Sequence, residues 1–283
     1  MVRDEPFTWP PREPHTDPVS PVILEPNAPT RRASLWHEFS ELWLAPEAPR
    51  LAQRISDAGW APDEAGAWCD RCAGTVGPSE ENEFGCAVCR GARLPWARAV
   101  RLGEHSGPLR EWVHEVKFTR FRALGVELGR ELGKQLRRAG LPGEGVVVCP
   151  APTSWRRRVA RGIDHSGAIA QGVARELGAP VERLLKRAHR ASQTELPASE
   201  RRRNVSGAFR RRGRGHAWEG LSGRTLVLVD DVMTTGSTAR AAVRAAAGRR
   251  GEGPRPAAVW LAVLAVAPRP GSEESTGSQT AGI

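Results

Sequence analysis

Leu226-Val-Leu-Val-Asp230-Asp231-Val-Met-Thr234-Thr235-Gly236-Ser237-Thr238 is the stretch on which the reading of this chain turns. Four apolar residues make a buried strand, and two carboxylates follow at its C-terminal edge, where open α/β sheets bind ligands. A hydroxyl- and glycine-bearing turn then leads into an alanine-rich helix expected over 237–249. Free backbone N–H groups at that terminus, with the hydroxyls of Thr234, Thr235, Ser237 and Thr238, suit a phosphate monoester. Gly236 lets the backbone approach it closely. The adjacent carboxylates Asp230 and Asp231 suit a ribose diol, with help to a nearby Mg2+. No lysine follows the glycine, so this is not the nucleotide-binding P-loop.

Outward from this segment the chain alternates strand-like and helix-like stretches. Val146 to Cys149 is a short apolar strand ended by Pro150, and 163–177 reads as a helix closing at Gly178-Ala-Pro180. Trp112, Val116, Leu124, Leu128 and Leu132 give 109–138 a helical texture. A last buried strand is expected over 259–266. Its apolar run, Ala257 to Ala267, is far shorter than the ~20 residues of a membrane helix. Strands alternating with helices predict an α/β fold with a parallel sheet flanked by helices.

Four of the five cysteines form two CxxC pairs, Cys69-Asp-Arg-Cys72 and Cys86-Ala-Val-Cys89, 13 residues apart. Two such turns facing each other close a tetrahedral site for Zn2+, and four thiolates leave no open position for substrate, so the role is structural. A redox disulfide pair or an iron–sulfur cluster uses the same residues. Metal binding explains how so small a segment holds together without a core of its own. Cys149 stands alone at a strand end and reads as a buried small hydrophobe.

The five predicted regions are a disordered, proline-rich leader over 1–32, a short helical segment over 33–63, a zinc ribbon over 64–100, the α/β domain over 101–267, and a disordered tail over 268–283. Within 33–60, Pro46 and Pro49 break the helical spacing into two short helices. No apolar h-region opens the chain, so a soluble, cytoplasmic protein without membrane insertion is expected. The formal net charge is +10, yet residues 100–224 carry 26 basic against 12 acidic side chains, which leaves the remainder net acidic. Such an excess implies an anionic partner, nucleic acid or a small phosphorylated molecule; an arginine-rich solvated surface gives the same count. Most of the ten tryptophans sit in apolar contexts that suit a core, whereas Trp155 lies among arginines.

The strand, acid pair and Thr-Thr-Gly-x-Thr loop resemble the 5-phosphoribosyl-1-pyrophosphate (PRPP) motif of type I phosphoribosyltransferases. Further segments resemble ComF/GntX-type members of that superfamily. Pro150-Ala-Pro-Thr-Ser-Trp155-Arg-Arg-Arg158 with Arg161-Gly162-Ile-Asp164-His165 is similar to their "PVP…WRRR…RGFNQ" stretch. Arg187-Ala-His-Arg190-Ala-Ser-Gln193 and Arg201-Arg-Arg-Asn204-Val-Ser-Gly207-Ala208-Phe209 are similar to "R..Q" and "R..N..GAF". Val116-Lys117-Phe118 looks like the "KY" site, and the double CxxC ribbon belongs to the same architecture. Asp164 and His165 depart from the usual Asn-Gln, and Asp164 brings a negative charge near the expected pyrophosphate.

The resemblance implies a type I phosphoribosyltransferase-like sheet preceded by a four-cysteine ribbon. It implies PRPP bound with Mg2+, Asp230 and Asp231 on the ribose hydroxyls, and Thr234, Thr235, Gly236, Ser237 and Thr238 on the 5′-phosphate. The loop after the first core strand, with Pro152, Thr153, Arg156, Arg157 and Arg158, would cradle pyrophosphate. Three consecutive arginines cannot all face one ligand, so one or two would contact it. Asp230, Asp231 and Arg190 are the candidate catalytic residues, with 186–215 either a flap carrying Arg190 and Gln193 or an exposed loop. The acceptor of a transferred phosphoribosyl group is unidentified. The resemblance also brings a non-catalytic alternative: a DNA-uptake or DNA-utilisation accessory that contacts single-stranded DNA or a competence-machinery protein.

Overall fold

The computed structural model describes residues 50–118, 122–152, 164–187, 208–213, 216–248 and 253–268. The expected leader, the first of the two short helices, Thr153, Trp155, Arg156, Arg157, Arg158, Arg190, Gln193 and the tail beyond residue 268 lie outside them. The second short helix is α1, Leu51–Ala58, stopped by Gly59 in the left-handed conformation.

After the short antiparallel pair β1 (Glu81–Asn82) and β2 (Gly85–Cys86), four strands, β3 (Arg98–Glu104), β4 (Val146–Pro150), β7 (Thr225–Met233) and β8 (Ala258–Val266), form a wholly parallel sheet in the order β3-β8-β7-β4. Val227 stands between Val148 on one side and Trp260 on the other. The apolar run Leu226 to Val229 is fully buried, as a strand covered on both faces must be. Two differences from the sequence reading concern ends. β7 continues through both carboxylates to Met233, because Asp230 and Val232 keep their register with Val263 and Ala265. The texture over 109–138 resolves into two helices, α2 (Gly107–Phe118) and α3 (Arg122–Arg138).

Helix α4 (His165–Leu177) lies against α3, and together they cover the sheet, α3 over β3 and β8, α4 over β4 and β7. Glycine sets their separation: a Cβ on Gly129 would run into the Ile169 carbonyl, and one on Gly172 into the Val126 carbonyl. Beyond the one-turn helix α5 (His216–Glu219), helix α6 (Ser237–Ala247) packs on β7, β8 and the small antiparallel pair β5 (Leu185–Arg187) and β6 (Phe209–Arg211). Arg211 closes the C-terminal end of α6, donating to the carbonyls of Ala245 and Ala246 at 3.4 and 2.9 Å while its guanidinium covers Trp218 at 4.1 Å.

Strand β3, which spans the expected junction between ribbon and domain, is the element the sequence does not advertise. Arg98, Arg101 and Gly103 interrupt its apolar alternation, yet Arg101 is 1% exposed. Its guanidinium pairs with Asp63 at 2.6 Å and donates to the Ala73 carbonyl at 3.0 Å. The cysteine-rich segment runs along the outer edge of β3: the Asp70 carbonyl accepts from Ala99 N at 2.7 Å, and Asp63 N donates to the Leu102 carbonyl at 2.7 Å. An edge that would otherwise present bare donors and acceptors is thereby covered. Trp68, Cys69, Ala73, Val76, Leu94 and Trp96 join the same continuous core as the sheet. The ribbon is a docked part of the domain's core.

Candidate phosphate-binding site and cysteine centre

The C-terminal end of β7 holds both carboxylates, each half-buried. Asp230 Oδ1 accepts from Asp231 N at 3.0 Å, and Asp231 Oδ1 from Val232 N at 2.6 Å. Burial, and then the neighbouring Asp231 charge, push the Asp230 carboxyl up to about 8. Lys117 at the end of α2 reaches Asp231 at 3.3 Å. Next to them His105, whose N–H extends β3 onto the Val266 carbonyl at 2.7 Å, is held below its ordinary value by burial and then by Lys117.

Beyond Met233 the chain turns through exposed Thr234 and Thr235 to buried Gly236. Gly236 takes φ 69°, a left-handed conformation that favours glycine, and serves as the N-cap of α6 with no side chain of its own to satisfy the helix. Thr235 Oγ1 lies 3.1 Å from Ser237 Oγ and accepts from Ser237 N at 3.4 Å. Asp230, Thr234, Gly236, Ser237 and Thr238 line one depression of 30 Å3. The structure therefore brings the acid pair and the hydroxyl turn into one locus, with a helix N-terminus behind it.

Of the expected pyrophosphate loop, Pro152 is described, directly after β4, and Ala151 N donates to the Val229 carbonyl at 2.7 Å, one residue from Asp230. Thr153 and Arg156, Arg157 and Arg158 lie outside the described residues, as does Arg190. Asp164, the departure that adds charge, is the N-cap of α4: it accepts from Gly167 N at 3.3 Å and pairs with Arg183. Its charge is engaged at a helix start and by a guanidinium. Ser166 Oγ donates to the Ala151 carbonyl at 2.7 Å and ties that helix to the strand end. Cys149 is wholly buried, with its thiol pushed up to about 11 by burial.

Cys69, Cys72, Cys86 and Cys89 come together with sulfur atoms within 4.8 Å of one another. Cys69 and Cys89 are 3.5 Å apart, Cys72 and Cys86 3.6 Å, Cys86 and Cys89 3.8 Å. A disulfide requires ~2.05 Å. A tetrahedral ion with ~2.3 Å bonds to sulfur spaces its ligands by about 3.8 Å, so the set fits zinc. A hydrogen bond from Cys72 holds the Cys69 thiol down at about 3. The turn is specified locally: Cys69 N donates to the Gly74 carbonyl at 2.8 Å, and Gly85, at φ 94°, leaves no room for a Cβ beside Cys89 Sγ. These four can hold one metal ion, with no position left for a substrate.

A larger cleft of 470 Å3 lies at the N-terminal end of β3, between ribbon and sheet. Across it Arg98 pairs with Asp70 at 3.2 Å and Glu81 accepts from Asp70 N at 2.9 Å, so it is the seam of two docked parts. Sequence reasoning noted Lys117 by resemblance without a partner and missed His105, Trp96 and Arg240. Only chain crossing brings these to the acids and the loop.

A phosphoribosyl transferase domain model matches residues 162–277. The DNA utilization protein YhgH of Salmonella typhi is 33% identical over 167 residues, 57% of this chain and 70% of that protein. The protein of the same name in Escherichia coli (strain K12) is 31% identical over the same shares. Competence protein F of Haemophilus influenzae is 29% identical over 161 residues, 54% of this chain and 68% of that one. With the parallel sheet, the acid-and-hydroxyl loop on β7 and the four clustered cysteines, these matches establish that the chain belongs to the ComF-type proteins of the type I phosphoribosyltransferase superfamily.

Proposed function

We propose that this protein binds PRPP with Mg2+ at the end of β7 and transfers the phosphoribosyl group to an acceptor with release of pyrophosphate. One observation carries the reading: Asp230 and the hydroxyl-bearing turn of Thr234, Ser237 and Thr238 meet at one depression in front of a helix N-terminus whose N-cap, Gly236, has no side chain, with Asp231 next along the strand. Thr234, Thr235, Gly236, Ser237 and Thr238 hold the 5′-phosphate, where the helix terminus favours an anion. Asp230 and Asp231 hold the ribose hydroxyls. Their hard oxygens fit Mg2+, which takes one or two carboxylates together with substrate phosphates. When bound, Mg2+ supplies charge that stabilises the departing pyrophosphate. The arginines of the loop after β4 add to that stabilisation. The cysteine centre holds structural Zn2+, in the reducing cytoplasm where thiolates persist.

PRPP with Mg2+ is expected to raise the melting temperature by mass action, and the double substitution Asp230→Asn, Asp231→Asn to abolish the shift. A nucleobase panel is then expected to yield pyrophosphate from PRPP with one acceptor. An unchanged thermal response in the double variant would falsify the binding site.

A second reading, an accessory in DNA use that is not an enzyme, draws on the names of the relatives and on the 26 basic residues of 100–224, more than one phosphorylated ligand can engage. No helix among the described residues is long and apolar enough to cross a membrane. The ribbon tip, Glu80 to Phe84, carries Glu80, Glu81 and Glu83, charges that repel a nucleic-acid backbone. Salt-sensitive single-stranded DNA binding with no pyrophosphate from any acceptor favours this reading.

A further inference from the structure

Trp96 lies between the cysteine centre and the phosphate loop and adjoins both. It belongs to the last turn of chain before β3 and is 4% exposed. Its indole Nε1 donates to the backbone carbonyl of Arg71 at 2.6 Å. Arg71 sits inside the first cysteine pair, between Cys69 and Cys72, and its guanidinium also reaches the carbonyls of Phe84, beside the second pair, and Ala92 at 3.1 Å. At its other edge the indole backs the loop: a Cβ built on Gly236 would lie 3.7 Å from Trp96 Cη2 and 3.4 Å from Met233 Sδ. Arg240, one turn into α6, carries its guanidinium 6.0 Å from the centre of the same ring. Arg240 N also donates to the Gly236 carbonyl at 2.8 Å.

We infer that Trp96 is a positioning residue that ties the four-cysteine centre to the phosphate loop, so that the affinity of the loop for a phosphorylated ribose depends on whether the cysteines hold their metal. The inference rests on the reading of Gly236 and its neighbours as a phosphate cradle. Gly236 must hold its left-handed conformation for the N–H groups of α6 to converge on an anion, and the edge of the indole, with Met233 Sδ, stands on the side where a Cβ would point. The indole, packed in the core, donates its one hydrogen bond to a backbone that metal ligation orders. Removing the metal frees the Arg71 carbonyl to move, the indole loses its anchor, and the loop must be ordered by the ligand alone. Coupling between two sites is reciprocal, so phosphate bound at the loop must also register at the metal.

The test uses the full chain loaded with 113Cd, with ribose 5-phosphate as the probe. In the wild type, ribose 5-phosphate is expected to shift the 113Cd resonance, and stripping the metal to weaken its binding, measured by calorimetry, about tenfold. Trp96→Phe keeps a ring against Gly236 but has no N–H for Arg71: it is expected to bind the probe several-fold more weakly and to lose the 113Cd response. Trp96→Ala removes both contacts and is expected to match the metal-stripped protein; where it does not fold, Trp96→Phe decides. If the wild type binds no ribose 5-phosphate, the cradle reading falls and the coupling with it. If the wild type binds but the 113Cd resonance stays still and Trp96→Phe binds as tightly, the coupling alone is overturned.

Discussion

Asp230 is where, on the proposed reading, ligand binding and stability oppose each other. Its carboxyl is pushed up to about 8 from an ordinary 3.8, by burial and by Asp231. Between those two values the folded protein keeps a proton that the unfolded chain has lost, so stability contributed here is present at low pH and falls as pH rises towards 8. Asp230→Asn removes the titration. The variant is expected to melt at a higher temperature than the wild type at pH 8, with the gain shrinking towards pH 5; a pH-independent gain refutes the assignment. Sites tuned for ligands often carry such a cost. Lys117, at 3.3 Å from Asp231, answers the second charge directly and offsets the burial of Asp230 only in part.

Among the elements, the α3–α4 contact sets the separation of the two helices that cover the sheet. Gly129 and Gly172 let two backbones approach where any side chain would collide with a carbonyl. Gly172→Ala is therefore expected to cost about 1–3 kcal/mol in denaturant unfolding, the range of overpacked cores. Gly143→Ala, at a position with open space and no positive φ, is expected to stay within about 0.5 kcal/mol. Equal effects at the two positions refute the close approach. The glycines were visible in the sequence, but a glycine inside a helical pattern has several explanations, and only the neighbouring helix selects one.

Over the whole molecule, the ribbon and the sheet share one core, and Arg101 pins them with a buried guanidinium that bridges Asp63 and Ala73. Truncating such a residue strands Asp63 without its counter-charge. Metal removal is accordingly expected to lower the single melting transition of the full chain by on the order of 10 °C, since binding energy at the cysteines is also folding energy for the core they join. A separate ribbon transition, with that of the sheet unmoved, would show two independent units instead. The sequence by itself determined the chemistry-bearing pieces: a strand-acid-hydroxyl loop, two cysteine pairs, and an alternation that demands a parallel sheet. These are local patterns, legible because strand burial, helix N-termini and tetrahedral thiolate sites each impose a short spacing on the chain. Only the tertiary structure decided that β3 is a strand despite its arginines, that Asp164 is held as a cap by Arg183, and that Trp96 stands between the cysteine centre and the loop. Each of those depends on a partner tens of residues distant, or on the crossing of two elements, and packing of that kind leaves no period in the sequence.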